Sequence, residues 1–160
     1  MSELTIRAAN PADAATILQF ITELAIYEKA EHEVLTSVPL IQQTLFGADA
    51  KAHALICEQA GVAIGFAVYF FNYSTWLGKY GLYLEDLYIT PSARRSGAGQ
   101  LLFNALAKIA KANDCGRFEW SVLDWNTPAI QFYEKMQAEQ KTEWLGYRLT
   151  EKQLIALADS

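Results

Sequence analysis

The spacing of hydrophobic and polar positions changes period several times along the chain. Leu4-Thr5-Ile6-Arg7-Ala8 alternates apolar with polar residues, as a half-buried strand does. Asn10-Pro11-Ala12-Asp13 then reads as a helix start, with Asn10 as N-cap and Pro11 at the first helical position. Ile17, Phe20, Ile21, Leu24 and Ala25 recur at helical spacing and carry this helix to about Tyr27. Residues 37–46 predict a shorter second helix that stops before Gly47. From Ala52 the pattern is that of strands: 52–58 and 62–71 flank a turn at Ala60-Gly61 and predict a hairpin. A loop containing Trp76-Leu77-Gly78-Lys79 leads to a third strand, Leu82 to Ile89. Ala98, Leu101, Leu102, Ala105, Leu106 and Ile109 predict an amphipathic helix, and Arg117 to Val122 a strand. Pro128 opens a helix carrying Ile130, Phe132 and Tyr133, and Trp144 to Leu149 predicts a last strand before a short terminal helix. The order βααββ-βαβαβ, without linker or repeat, predicts one α/β domain over residues 1–160 with a mixed sheet.

Composition narrows the classes of function. A chain of 160 residues that is 52% hydrophobic and 19% charged suits a packed domain and argues against disorder. No apolar run approaches the roughly 20 residues that span a bilayer, and Met1-Ser2-Glu3-Leu4 lacks the features of a signal peptide. A cytoplasmic location and no membrane partner are expected. A net charge of −5 disfavours nucleic acid, whose phosphates demand clustered Lys and Arg, and is compatible with a cationic substrate. Cys57 and Cys115 have no CxxC spacing and read as two ordinary buried thiols; with only His32 and His53 besides, no metal is expected.

Candidate chemistry concentrates in Leu84-Glu85-Asp86-Leu87-Tyr88-Ile89-Thr90-Pro91 and the following Arg94-Arg95-Ser96-Gly97-Ala98-Gly99. A strand apolar on both faces carries two adjacent carboxylates, then enters a loop of arginines and glycines that opens onto a helix. Glycines let backbone approach a ligand closely, and the N–H groups of residues 95–100 at a helix N-terminus suit a phosphate or pyrophosphate. The run lacks the GKS/T ending of a P-loop and does not match GxGxxG. From spacing alone it reads equally as a strand-to-helix connection with turn glycines and solvated arginines. Adjacent strand residues point to opposite faces, so Glu85 and Asp86 share a site only if a bulge intervenes.

The pattern Arg94-x-x-Gly97-x-Gly99 resembles motif A of the GNAT superfamily of acetyl-CoA-dependent N-acetyltransferases. The resemblance extends over Ile6-Arg7-Ala8-Ala9, Glu23-Leu24-Ala25-Ile26-Tyr27-Glu28, Gly65-Phe66-Ala67, Trp76-Leu77-Gly78-Lys79, Tyr83-Leu84-Glu85-Asp86 and the stretch Trp125-Asn126-Thr127-Pro128-Ala129-Ile130-Gln131-Phe132-Tyr133. These blocks are similar to the diamine branch, the spermidine/spermine and thialysine acetyltransferases. The resemblance implies a mixed, mostly antiparallel sheet with helices on both faces. It further implies a homodimer, acetyl-CoA as cosubstrate and a small-molecule amine as acceptor, attacked directly in a ternary complex. By the same resemblance Leu87, Tyr88 and Ile89 offer backbone groups to the pantetheine arm. Arg94, Arg95, Ser96, Gly97, Ala98, Gly99 and Gln100 form the pyrophosphate loop, and Asn126, Thr127, Pro128 and Ala129 make a further coenzyme A contact.

An alkyl ammonium with a pKa of about 10.4 is only around one part in a thousand neutral at pH 7.4, and only the neutral amine attacks. The resemblance implies Glu85 as acceptor of that proton through water, and Tyr133 as general acid for the leaving thiolate. Read from periodicity alone, Tyr133 is a core ring of an amphipathic helix, and one of the two carboxylates a partner for a buried Arg or for backbone donors. Tyr27, Glu28 and Asp86 match the substrate side. Trp76 and Trp125 are of a kind to wall an amine channel by area and cation–π attraction, and core packing explains each equally.

The chain also departs from that branch. Trp144-Leu145 precede Gly146-Tyr147-Arg148 where polyamine-specific members carry a pair of acids, and the nearest acid is Glu143. Lys29-Ala30-Glu31-His32 replaces a denser acidic run, and Gln137 stands where a glycine usually ends the helix, which predicts altered local geometry. A shorter amine, or an amino acid with a side-chain amine, therefore fits at least as well as spermidine. Two other readings stand beside a small-amine acetyltransferase: transfer to a protein lysine or N-terminus, and an acyl-CoA-binding sensor without catalysis.

Overall fold

The computed structural model describes residues 3–160. Its contacts divide the chain into two compact units, one ending at Ser121 and one spanning Val122–Ser160.

The first unit is built on a five-stranded sheet in sequential order: β1 (Leu4–Ala8), β2 (His53–Gln59), β3 (Val62–Ser74), β4 (Lys79–Ile89) and β5 (Arg117–Trp120). All neighbours are antiparallel except β4 and β5, which are parallel. Asn10 caps a 3-10 turn, Pro11–Asp13, that runs into α1 (Ala14–Tyr27); α2 is Val38–Phe46 and α3 is Ala98–Ala112. β3 and β4 are both longer than their hydrophobic pattern indicates, because the polar and aromatic residues of 72–74 and 79–81 still pair, with Tyr73 and Tyr80 rings 5.2 Å apart across the strands.

One face of the sheet is covered by α1 and α2. Ala14, Ile17, Phe20 and Ile41 bury against Ala54, Ile56, Phe66 and Tyr88. Phe20 sits 5.7 Å from the Phe66 ring and 5.8 Å from that of Tyr88. The other face packs on α3, where Leu102 and Leu106 are fully buried and Phe103 meets Phe118 and Trp120 of β5 at 5.5 and 5.0 Å. Cys57 is buried, as its position in β2 dictates; Cys115, expected to be buried as well, is only partly so because it lies in the turn after α3.

The second unit contains α4 (Thr127–Lys135) and α5 (Glu151–Ala158). The expected strand over 144–149 is not formed. These residues join no ladder, their own unit offers no second strand to pair with, and Tyr147 is 94% exposed.

Candidate active site

The carboxylates of β4 owe their placement to an irregularity in the ladder. Val68 pairs with Asp86 and Tyr69 with Leu84, so Glu85 has no partner on β3 and forms a β-bulge. Before the bulge, Leu82 and Leu84 pair with Phe118 and Trp120 and face α3. After it, Asp86 lies beside Val68 and Tyr88 beside Phe66, on the face covered by α1. The bulge interrupts the alternation that would set Glu85 and Asp86 on opposite faces, and the Glu85 charge is felt at Asp86.

Asp86 is largely buried, Glu85 exposed. Burial, and then the charges of Glu85 and Glu28, push the Asp86 carboxyl up to about 6. Glu28 caps the C-terminus of α1, and its own carboxyl is raised by burial. Glu23 is a fourth acid, one turn earlier on α1; its Oε2 is buried without a hydrogen-bond partner, and its charge helps burial to raise the Tyr88 phenol. Sequence reasoning did not single out Glu23, although i, i+4 spacing places it on the helix face of Tyr27.

Arg94 turns back toward this cluster. Its Nε donates to the Ile89 carbonyl at 3.1 Å, and its guanidinium lies 5.4 Å from the Tyr27 ring centroid and 5.7 Å from that of Tyr88. The cation thus clamps the end of α1 to the end of β4. Tyr27, Glu28, Glu85, Asp86 and Arg94 are brought together.

Trp76 is not. It sits 87% exposed in the turn between β3 and β4, and six steps of about 3.3 Å from Lys79 to Glu85 put roughly 20 Å of strand between that turn and the carboxylates.

Beyond Leu84 the ladder with β5 ends, leaving one edge of β4 open. Thr90 N–H donates to Ile64 on β3, so alternation turns the backbone groups of Leu87 and Ile89 to the open edge and those of Tyr88 toward β3. Gly65 permits the close approach of β3 here, since a Cβ would lie 2.5 Å from the Tyr88 carbonyl oxygen.

At the end of that edge the chain turns into α3. Arg95 and Gly97 have φ of 64° and 91°, and Ser96 Oγ accepts from Ala98 N–H at 3.3 Å. The first intrahelical bond is Leu101 N–H to the Gly97 carbonyl, which leaves the N–H groups of Gly99 and Gln100 among the orphans of the helix start. A Cβ on Gly97 would meet nothing within 4 Å, so space lies in front of the loop. Open strand edge, positive-φ loop and helix N-terminus together fit an extended ligand ending in a pyrophosphate.

In the second unit, Asn126 caps α4, its Oδ1 accepting from Ala129 N–H at 3.4 Å, with Thr127 and Pro128 in the first turn. Trp125, 43% exposed, precedes the cap. Tyr133 is half-buried on α4 with its ring 6.0 Å from that of Phe132. The helix ends as it would with glycine: Gln137 itself takes φ 65°, its N–H donating to Glu134 and that of Ala138 to the Tyr133 carbonyl. The expected alteration of geometry at Gln137 does not occur.

Among the described residues no group of three or more His, Cys, Asp or Glu is arranged to hold a metal, and no helix is long and apolar enough to cross a membrane.

A family model described as the acetyltransferase (GNAT) family matches residues 18–138. The chain is 34% identical to thialysine N-epsilon-acetyltransferase from Mus musculus, over 99% of both chains. It is 46% identical to an L-ornithine N5-acetyltransferase from Arabidopsis thaliana over 60% of this chain and 42% of that one. Among solved structures, an integron cassette protein from the mobile metagenome of V. cholerae superposes with a TM-score of 0.82 at 25% identity, covering 100% of this chain and 99% of the other.

Proposed function

This chain belongs to the GNAT family of acetyltransferases, and from that premise we propose that it transfers acetyl from acetyl-CoA to a primary amine of a small molecule by direct attack in a ternary complex. The acceptor in this reading is a diamine or an amino acid with a side-chain amine, as the names of the thialysine and ornithine enzymes suggest. The observation that carries it is the carboxylate cluster around the largely buried Asp86, set against the open edge of β4 that leads to the Gly97 loop.

Coenzyme A would lie with its pantetheine arm along the backbone of Leu87 and Ile89 and its pyrophosphate on the N–H groups of Ser96 to Gln100, with Arg95 adding charge. When bound, it supplies an acetyl group activated as a thioester. Arg94, engaged by Ile89 and two rings, acts as a strut that fixes the site's walls. By the family resemblance, Asn126 to Ala129 would add a further coenzyme A contact.

The amine arrives as an ammonium ion. Glu23, Glu28, Glu85 and Asp86 attract it, and the lone Oε2 of Glu23 gains a donor. A carboxylate near 6 is closer in proton affinity to an amine than an ordinary Asp, so Asp86 shares the base role with Glu85, through water, as the nitrogen attacks. By the family resemblance, Tyr133 would hold its O–H as the proton donor for the leaving sulfur.

Release of coenzyme A across thialysine, ornithine, lysine, putrescine, spermidine and peptides tests the reading. Wild-type turnover is expected on a small amine. Tyr133→Phe is expected to cut kcat by about 10²-fold or more with acetyl-CoA affinity retained. Tight acetyl-CoA binding with no turnover would point to a sensor, and turnover confined to peptides would move the acceptor to proteins.

A further inference from the structure

Asp86 stands at one end of a half-buried strip of the sheet. It pairs with Val68; two residues further along β3, Phe70 pairs with Tyr83, which pairs in turn with Glu119 on β5. Alternation sets Val68, Phe70 and Asn72 on one face of β3, so Asp86, Tyr83 and Glu119 share that face. Side-chain contacts agree: the Phe70 and Tyr83 rings lie 5.2 Å apart, and Asn72 Nδ2 donates to Glu119 Oε1 at 3.4 Å. Two residues along the ladder and one strand across, at about 3.3 Å and 4.8 Å each, separate the backbones of Asp86 and Glu119 by roughly 8 Å. Val68 and Tyr88 on this face pack into the core under α1. Beyond them Phe70, Asn72, Tyr83, Arg117 and Glu119 are only half-buried, whereas Leu82 and Leu84 on the opposite face are buried.

The far end of the strip is an ion pair. Arg117 Nε lies 2.9 Å from Glu119 Oε1, and Arg117 Nη2 donates to the Tyr73 carbonyl at 3.1 Å. Glycine at 81 makes room for it, since a Cβ there would lie 2.5 Å from Asn72 Oδ1 and 2.9 Å from Arg117 Cγ. The group is not closed on itself. Arg117 and Asn72 both contact Oε1 of Glu119, which leaves Oε2 open to a donor. Among the described residues, Arg117 Nε and Asn72 Oδ1 are buried without a hydrogen-bond partner, the 2.9 Å contact being an ion pair out of hydrogen-bond alignment. A network that only braced the strands would match its buried donors and acceptors. The pair has no net charge. The second ammonium of a diamine meets attraction from Glu119 and repulsion from Arg117 at similar range. An α-amino acid carries an ammonium and a carboxylate on one carbon, and meets attraction from both.

We infer that Arg117 and Glu119 hold the α-carbon head group of an amino-acid acceptor, its carboxylate on the guanidinium and its α-ammonium on Glu119 Oε2, while the side-chain amine reaches Asp86. The inference deepens the acetyltransferase reading and rests on it. Three or four side-chain methylenes hold the two nitrogens of such an amino acid about 6–7 Å apart, at ~1.5 Å per bond, which suits the span from Asp86 to Glu119. The rings of Phe70 and Tyr83 lie under the methylenes between, and the Tyr83 hydroxyl is fixed by a 2.9 Å hydrogen bond with Ser121 Oγ. Selection of an amino acid over the corresponding diamine is thus assigned to β5.

The test compares kcat/KM for pairs that differ by a single carboxylate, L-ornithine with putrescine and L-lysine with cadaverine, in wild type, Arg117→Met and Glu119→Gln. Each value is divided by that of n-pentylamine, which has no head group, in the same variant, so that a general disturbance of the sheet cancels. Wild type is expected to favour each amino acid by about tenfold or more, the scale of one charge-assisted hydrogen bond. Arg117→Met leaves a net negative end and should lower the amino-acid values about tenfold while raising those of the diamines. Glu119→Gln leaves a net positive end and should lower the diamine values more than the amino-acid values, widening the preference. It keeps the shape of the side chain, and decides alone if Arg117→Met does not fold. Diamines favoured by wild type, both members of a pair moving by the same factor in each variant, or turnover confined to peptides would overturn the inference while leaving transfer intact. Calorimetric titration of L-ornithine in the presence of coenzyme A separates the two readings. Binding that is weakened in Arg117→Met, without turnover on any amine, would refute transfer and uphold the head-group site. No turnover with no binding, or with binding indifferent to Arg117, would refute both.

Discussion

A carboxyl group held near 6 titrates within the range over which an enzyme is assayed, and Asp86 is such a group. Ionised above that value, it attracts the ammonium; protonated below it, it neither attracts nor accepts. The kcat/KM for amine is expected to decline by about tenfold per pH unit below 6. Asp86→Asn should remove that limb and leave a plateau about 10²-fold lower, as a pH–rate profile would show. For stability the sign is opposite. A raised carboxyl pKa means the folded state binds the proton more readily, so Asp86 costs stability at neutral pH, and that cost is relieved as pH falls through about 6. Gln137 offers a test without chemistry. Glycine at φ 65° removes a left-handed strain of roughly 1–2 kcal/mol but frees the unfolded chain, so Gln137→Gly is expected to raise stability by about 0.5–1 kcal/mol in denaturant melts. The paired acids were legible in the sequence because adjacent charges in an apolar strand stand out. Their shared environment was not, because the bulge at Glu85 is set by pairing with β3, which local pattern does not encode. Nor was the direction of Arg94, which depends on two rings distant in sequence.

At the scale of elements, periodicity located the helices and strands that bury one clear face, and α3 with its apolar stripe is the plainest case. It failed at 144–149, where apolar residues stand in a unit that has no second strand to pair with, and it cut short β3 and β4, whose shared tip is held by cross-strand aromatic pairing rather than burial. The loop before α3 was recognisable from Gly97 and Gly99, and its positive φ at Gly97 gives a direct test. Gly97→Val forces a β-branched side chain into a left-handed position and into the space before the loop. Affinity for coenzyme A, measured calorimetrically, is expected to drop by about tenfold or more, with the helical content of the protein little changed.

For the whole molecule, the beginning of the chain is tied down by charge as well as by β-pairing. Arg7 on β1 donates to Asp13, before α1, and to Glu58 on β2, each at 2.7 Å. The Arg7 hydrogen bond holds the Asp13 carboxyl below the usual carboxylate range, and the two acids hold the guanidinium charged. Asp13 therefore contributes stability above the ordinary carboxylate value and loses it as pH falls through its lowered one. Arg7→Ala leaves Asp13, mostly buried, without its partner and is expected to cost about 2–3 kcal/mol in urea unfolding. None of this was visible beforehand, since Arg7 and Glu58 meet only across the register of β1 with β2.

The bulge at Glu85 also behaves as a shift of frame in the middle of β4. Upstream, even-numbered residues face α3; downstream, even-numbered residues face α1. Exchanging Glu85 for another side chain edits one letter and leaves the frame alone, so Glu85→Ala is expected to fold and to report on chemistry. Removing the residue closes the bulge without re-phasing the strand: Leu84 and Asp86, which already pair with the consecutive Tyr69 and Val68, become neighbours and stay on opposite faces, with Tyr88 still in the aromatic cluster of Phe20 and Phe66. Thermal unfolding of the one-residue deletion is therefore expected to stay close to that of Glu85→Ala, while the carboxylate chemistry is lost in both. Glu85 is thus a residue the sheet carries without needing, which leaves its position open to whatever the site requires.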